Sequence, residues 1–200
     1  EIVSDLVCPW CFIGLRRLSL AIEQVRRDIP DFACRKVWRP FFLNPDTPPE
    51  GEPYLPFLIA KFGGQEAVEG VFKRVREAGR PYGLEYAFDR ITLRANTLQA
   101  HRLIHWAQQR GEAEPLVERL FAAQFQRGEH VGDPVLLAAI AGECGYPASD
   151  AAAYLASVTD YLGRRLTPDA RGRDGAIAAY AVGAVTALGA ALTIALERGM

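Results

Sequence analysis

The chain has 200 residues, of which 50% are hydrophobic and 24% are charged, and its formal net charge is −1. This composition is typical of a globular protein, and a chain of this length buries about 70% of its unfolded surface, so it needs no disulfide or metal to fold. The near-zero charge argues against nucleic acid or an anionic membrane as a partner. Four cysteines are too few for a disulfide scaffold.

The N-terminal region predicts a strand, a helix and a second strand. Residues 1–4 have the pattern of a strand end that leads into the stretch SDLVCPWCFIG. Apolar residues then recur at three- and four-residue steps, which predicts an amphipathic helix that ends before Pro30. These apolar positions are Leu15, Leu18, Ile22, Val25 and Ile29. Residues 32–42 are rich in aromatic and β-branched types, which predicts the second strand.

The middle of the chain predicts a series of helices. Apolar periodicity and breaking residues delimit helices at residues 55–62, 65–78, 96–110, 115–128 and 134–145, and a further helix from residue 149. Asn96, Asp133 and Ser149 are the predicted N-caps. Near the C-terminus, residues 175–196 carry no charge. Their three glycines and low hydrophobicity favour two buried strands and a helix over a membrane span.

This order predicts an α/β fold with a large all-α insertion. The early strand–helix–strand unit and the late strand–strand–helix unit can pair into one sheet. The expected boundaries are residues 1–50 and 170–200 for the α/β domain and residues 51–169 for the inserted helical domain. Because residue 1 is Glu rather than Met, we expect the natural protein to begin upstream.

The two cysteines of the Cys-Pro-Trp-Cys stretch predict redox chemistry. Cys8 follows a strand, and Pro9 suits the first position of a helix. Cys8 therefore lies at a helix N-terminus, where free N–H groups and the helix dipole favour the thiolate. Cys11, one turn later, is placed to resolve a mixed disulfide. Pro9 and Trp10 would tune the couple through rigidity and hydrogen bonding.

Two other interpretations of these cysteines are open but weaker. A zinc site needs four ligands, and the remaining cysteines, Cys34 and Cys144, are single. Both are expected to be small buried hydrophobes. The third interpretation is a pair of inert buried thiols, which the position between a strand and a helix disfavours. His101 and His105 are four residues apart on one helix, but nothing accompanies them in a metal-binding pattern, so we expect packed or partly exposed histidines.

Four motifs together resemble the FrnE-like branch of the DsbA family of thiol–disulfide oxidoreductases. They are SDLVCPWCFIG, WRPFFLNPDTPPEG, AGRPYGLEYAFDR and NTLQAHRLIHWA, and the resemblance extends over residues 2–165. It implies a thioredoxin-like fold interrupted by a helical domain. It also implies that Cys8 is the nucleophile and Cys11 the resolving thiol. Asn96 and His101 become candidates for the substrate groove.

The resemblance also sets expectations about activity and location. It implies disulfide exchange with protein or small-molecule thiols, without a resident cofactor, in the cytoplasm. The alternative is a glutathione-dependent enzyme similar to the kappa-class transferases or the 2-hydroxychromene-2-carboxylate isomerases, with glutathione as co-substrate. Those enzymes need no resolving cysteine, so the presence of both Cys8 and Cys11 favours redox exchange.

The C-terminal region departs from the family pattern. Thioredoxin-like enzymes place a cis-proline beside the Cys-x-x-Cys motif, and here no proline follows Pro168. Residues 170–200 are also unusually rich in Ala. Either the substrate-binding wall is altered or these residues differ from the natural ones, and we favour the second interpretation. A tryptic peptide that matched residues 174–198 by mass spectrometry would contradict it.

Overall fold

The computed structural model describes residues 1–157, beginning with the predicted strand–helix–strand unit. Strand β1 comprises Ile2–Ser4, helix α1 comprises Pro9–Asp28, and strand β2 comprises Trp38–Pro40. The two strands are parallel, with Ile2 opposite Trp38. A parallel pair needs a crossover, and α1 provides it. The prediction of this unit is confirmed.

The predicted second strand is much shorter than expected. Only Trp38–Pro40 of residues 32–42 is a strand. A strand needs a partner, and β1 supplies only three residues before the chain turns towards the cysteines. The aromatic and β-branched residues of this stretch are half-buried apart from the buried Trp38, and such a composition does not make a strand where no partner is available. The parts of the prediction that covered residues 32–37 and 41–42 are therefore wrong.

The middle of the chain is helical, as predicted. The helices are α2 (Tyr54–Phe62), α3 (Gln65–Gly79), α4 (Leu98–Gln108), α5 (Glu114–Ala122), α6 (Pro134–Glu143) and α7 (Ala148–Ala156). We call residues 54–156 the helical lobe. A π-helical turn, Ala123–Arg127, continues α5. An unpredicted antiparallel pair, β3 (Glu52–Pro53) with β4 (Leu93–Arg94), joins the start of the lobe to its middle.

The predicted helix caps have three different outcomes. The Asp133 side chain accepts a hydrogen bond from Val135 N, so this N-cap is confirmed. The Asn96 side chain accepts one from Leu98 N at 3.0 Å, although α4 begins one residue later than a cap at Asn96 requires. Ser149 lies inside the first turn of α7, whose N-cap is Pro147, so that prediction is wrong.

Helix α1 and the helical lobe share one hydrophobic core. Phe12, fully buried in α1, stacks on Phe121 of α5 with ring centroids 5.1 Å apart. At the sheet, Trp38 N donates to Gln108 Oε1 at 2.6 Å, and Gln108 Nε2 donates to Trp38 O at 3.2 Å. The lobe is thus anchored to both the helix and the strand that flank the cysteine motif.

The predictions for the C-terminal region lie outside the described residues. These are the late strand–strand–helix unit, the end of the inserted domain at residue 169 and the position of the cis-proline. Among residues 1–157, no helix has the length and apolar character that crossing a bilayer requires. The uncharged segment at residues 175–196 lies outside these residues.

Candidate active site at the start of helix α1

Cys8 occupies the N-cap of α1, as the motif predicts. Its backbone is extended (φ −99°, ψ 106°), and Pro9 is the first helical residue. Cys8 N donates to Asp5 O at 3.1 Å, and Cys11 N donates to Cys8 O at 3.0 Å. Both cysteines are free thiols and half-buried. The turn therefore holds the two sulfurs on the same side of the helix start.

The pKa values of the two thiols are shifted in opposite directions. The pKa of Cys8 is lowered, chiefly by a hydrogen bond from the Cys11 thiol and further by the backbone N–H groups of Cys11 and Trp10. Burial and the negative charge of Asp5 oppose this. The pKa of Cys11 is raised well above its usual value, because its proton is held by Cys8, because it is buried, and because a Cys8 thiolate repels a second negative charge. Cys8 is therefore the more acidic thiol of the pair.

Asp5 is a buried carboxylate three residues before Cys8. Its side chain is 1% exposed, and Oδ2 accepts a hydrogen bond from Leu43 N at 2.7 Å. Oδ1 lies 3.4 Å from His101 Nε2. That nitrogen is also 3.1 Å from Phe41 O. Asp5 and His101 thus join the motif, the segment after β2 and helix α4.

The two predicted groove residues both contact the segment at residues 41–47. Asn96 donates from Nδ2 to Thr47 O at 2.7 Å. The His101 ring is 6% exposed and meets Phe42 edge to face, with centroids 5.2 Å apart. Both side chains therefore bond within the protein, and the imidazole does not open onto solvent. Their part in a substrate groove stays a prediction.

The predicted tuning residues lie within the first turn of α1. Trp10 is half-buried and packs against the core, and Pro9 takes the first helical position. His105, unlike His101, is exposed. The two histidines therefore occupy different environments. Within residues 1–157, no three His, Cys, Asp or Glu side chains are grouped as metal ligands.

Tyr86 is a site residue that sequence reasoning missed. Its hydroxyl donates a 2.7 Å hydrogen bond to Pro9 O, although the two residues are 77 positions apart. Asp5 was missed as well, although it lies inside the motif SDLVCPWCFIG. A carboxylate among the apolar residues that precede Cys8 could have identified it. Tyr86 lies inside the motif AGRPYGLEYAFDR, but no local pattern connects it to the cysteines, since its contact is purely tertiary.

Comparison with known proteins shows the family and the fold of this chain. The family model described as "DSBA-like thioredoxin domain" matches residues 1–161. A probable DsbA oxidoreductase of Streptomyces coelicolor, SCO1869, is 28% identical, with a TM-score of 0.74 over 88% of this chain and 74% of that chain. Two other solved structures share the fold. A candidate protein disulfide isomerase of Nitrosomonas europaea is 18% identical, with a TM-score of 0.60 over 87% of this chain and 76% of its own. A 2-hydroxychromene-2-carboxylate isomerase is 13% identical, with a TM-score of 0.51 over 86% of this chain and 76% of its own.

One curated relative matches at the sequence level. The Bacillus subtilis (strain 168) protein YwbO, whose function is uncharacterized, is 25% identical over 145 residues. The match covers 72% of this chain and 65% of YwbO, so the chain spans less than two thirds of that relative. With a family match over residues 1–161, the fold is thioredoxin-like with a helical insertion. The chain belongs to the DsbA-like thioredoxin domain family.

Proposed function

We propose that this protein is a thiol–disulfide oxidoreductase in which Cys8 attacks and Cys11 resolves. The observation that carries the proposal is the position of Cys8 at the N-cap of α1, with Cys11 one turn later and its backbone N–H donating to Cys8 O at 3.0 Å. This arrangement favours a thiolate at Cys8, whose pKa is lowered, and a protonated thiol at Cys11, whose pKa is raised. Two equivalent buried thiols would have no such division of roles.

The exchange proceeds through one mixed disulfide. The Cys8 thiolate attacks a sulfur of the substrate disulfide, forms a Cys8–substrate disulfide and expels the other substrate sulfur as a thiolate, which takes up a proton. Cys11 then loses its proton and attacks the Cys8 sulfur. The second substrate thiolate leaves, and the Cys8–Cys11 disulfide forms. Two electrons pass from the protein to the substrate, and the reverse sequence oxidises a substrate dithiol.

The acidity of Cys11 changes at the point where it must react. Two of the causes that raise its pKa are the hydrogen bond to Cys8 and the charge of the Cys8 thiolate. Both disappear once Cys8 is bonded to substrate. The pKa of Cys11 therefore falls when the mixed disulfide forms, while burial and the negative charge of Asp5 continue to oppose ionisation. Cys11 is held inactive before attack and released after it.

The proposal needs no resident cofactor, since the two sulfurs carry the electrons. We propose disulfide-bearing proteins or small-molecule disulfides as substrates, with glutathione as a candidate co-substrate. Pro9 and Trp10 are proposed to tune the couple. We also propose that the protein belongs to the FrnE-like branch and acts in the cytoplasm. Both proposals rest on the resemblance of the sequence motifs.

Insulin reduction by dithiothreitol tests this function. We expect the wild-type chain to accelerate it and the Cys8→Ser variant to lose the acceleration. Cys11→Ser should accumulate mixed disulfides through Cys8, visible as a mass increase that dithiothreitol reverses. Cys34→Ser and Cys144→Ser are matched controls, because both replace free, half-buried cysteines outside the motif. Equal losses in all four variants would contradict the assignment.

The same variants separate redox exchange from glutathione-dependent isomerisation or transfer. An isomerase or transferase needs one thiol-handling residue and no resolving partner. Cys11→Ser should therefore keep full turnover with glutathione and an electrophile if that alternative holds. We expect it instead to stop after the mixed disulfide.

A further inference from the structure

We propose that Tyr86 is a positioning residue through which the helical lobe sets the dithiol–disulfide equilibrium of Cys8 and Cys11. The inference rests on the proposed function and adds a determinant from outside the Cys-Pro-Trp-Cys stretch. Its basis is the hydrogen bond from the Tyr86 hydroxyl to Pro9 O, at 2.7 Å. Pro9 lies between the two cysteines, so this bond reaches the backbone that spaces the sulfurs.

The ring of Tyr86 is enclosed on several sides. It is 6% exposed and stacks on Phe88 with centroids 5.1 Å apart. Phe125 and Phe12 meet it at steep angles, with centroids 5.6 Å and 6.3 Å away. A Cβ atom built on Gly79 would lie 2.6 Å from Tyr86 Cε2, so only glycine leaves room for the ring at this distance. The hydroxyl therefore has little freedom to leave Pro9.

The backbone around Tyr86 is fixed as well. Arg76 Nε donates to Tyr86 O at 3.1 Å, and Ala87 N donates to Phe125 O at 2.8 Å. Phe125 lies in the π-helical turn that continues α5. The wider turn thus presents a carbonyl to the segment that carries Tyr86. Two helices of the lobe fix where the hydroxyl points.

The hydroxyl also lies within the electrostatic reach of both sulfurs. Burial raises the pKa of Tyr86, and negative charge on Cys8 and Cys11 raises it further. Tyr54, in the same group of stacked rings, has its pKa raised by burial alone. Geometry and electrostatics thus single out Tyr86 among these tyrosines.

The direction of the effect follows from the bond dipoles. The hydroxyl proton offsets the partial negative charge of the Pro9 carbonyl oxygen, one residue from Cys8. Without that proton, the carbonyl disfavours negative charge on the Cys8 sulfur. The reduced form, in which Cys8 is a thiolate, is then less stable relative to the disulfide. Loss of the hydroxyl should make the couple more reducing.

The test is the equilibrium of the full chain in glutathione redox buffers, measured by alkylation and intact mass. We expect Tyr86→Phe to shift the dithiol–disulfide ratio about three- to tenfold towards the disulfide, since one hydrogen bond is lost. Tyr146→Phe is the matched control. It removes an equivalent bond, from the Tyr146 hydroxyl to Glu112 O at 2.9 Å, and should leave the ratio unchanged. A ratio unchanged in Tyr86→Phe, or shifted equally in both variants, would overturn the proposal.

A second variant perturbs the position of the hydroxyl without removing it. Gly79→Ala forces the ring of Tyr86 to move, and we expect a shift in the same direction. Because the equilibrium needs no protein substrate, the inference and the proposed function can fail separately. If wild type fails to reduce insulin but Tyr86→Phe shifts the ratio, the inference stands alone. If wild type reduces insulin and the ratio is unchanged in both Tyr86→Phe and Gly79→Ala, only the inference falls.

Discussion

Cys11 N donates a hydrogen bond to Cys8 O at 3.0 Å, and the contact between the two thiols that this turn brings together is the largest influence on the pKa of both residues. It lowers the pKa of one cysteine and raises that of the other. The helix N-terminus acts in the same direction on Cys8 but has less influence on Cys11, which lies one turn further along. The division of roles between the two thiols therefore depends more on their mutual contact than on the helix.

Removing the donor should make Cys8 less acidic. In Cys11→Ala the hydrogen bond is lost, and a bond to a charged group is worth about 1.5–3 kcal/mol, so we expect the pKa of Cys8 to rise by about one unit or more. Cys11→Ser keeps a hydroxyl donor and should show a smaller rise. The pH dependence of iodoacetamide alkylation of Cys8 measures both. An equal rise of the Cys8 pKa in the two variants would mean that a hydrogen-bond donor at position 11 does not lower that pKa.

The reduced protein should gain stability as the pH rises through the range where Cys8 ionises. The folded-state pKa of Cys8 lies below its ordinary value of 9.0. The thiolate therefore stabilises the fold fully above about pH 9, and this contribution is lost as the pH falls through the folded-state pKa. Cys11, whose pKa is raised, makes the folded state less stable as the pH rises, but only above its ordinary pKa of 9.0. Urea unfolding of the reduced protein between pH 5 and 8.5 should show the gain, and Cys8→Ser should lack it.

Asp5→Asn should make Cys8 more acidic. The negative charge of Asp5 raises the pKa of both cysteines, and asparagine removes that charge while keeping an oxygen for Leu43 N. The alkylation profile of Cys8 should therefore move to lower pH. Asp5→Ala also leaves the Leu43 N–H without its acceptor, which costs about 1–3 kcal/mol of unfolding free energy if that group stays buried. A profile unmoved in Asp5→Asn would show that the Asp5 charge does not reach the sulfurs.

Phe12→Ala should destabilise α1 and the lobe together. Phe12 is fully buried and stacks on Phe121, so its truncation leaves a cavity that costs about 3–5 kcal/mol. Leu20→Ala, on the same helix at a side chain that is 50% exposed, should change the stability by no more than about 0.5 kcal/mol. Denaturant unfolding monitored by far-UV circular dichroism compares them. Two separate transitions in Phe12→Ala would argue against a shared core.

The sequence predicted the parts of the fold that local patterns govern. Apolar periodicity located α1 to α6 to within a few residues, and the motif located Cys8 at a helix N-cap. Local chemistry also predicted the cap at Asp133. Prediction from the sequence failed where contacts with other parts of the chain decide where an element begins or ends. The strand at residues 32–42 is limited by the length of β1, and the start of α7 is set by Pro147 rather than Ser149.

The site followed the same rule. The order of Cys8, Pro9 and Cys11 along the chain predicted the turn that holds the sulfurs. The groups that modify this turn come from distant positions, as with Tyr86 and His101, and no spacing in the sequence connects them to the motif. Asp5 was within reach of prediction, since a carboxylate in an apolar run must find partners when it is buried. Those partners, Leu43 N and His101, could not be named without the fold.

The amide of Gln108 occupies both main-chain hydrogen-bonding positions of Trp38. Alternate residues of a strand present these groups to opposite edges, and those of Trp38 lie on the edge away from β1. A side chain of the helical lobe thus takes the place of a neighbouring strand at this point. The consequence is a closed edge. An extended polypeptide cannot add to β2 at Trp38 without first displacing Gln108, so this position is protected against strand addition and the aggregation that follows from it.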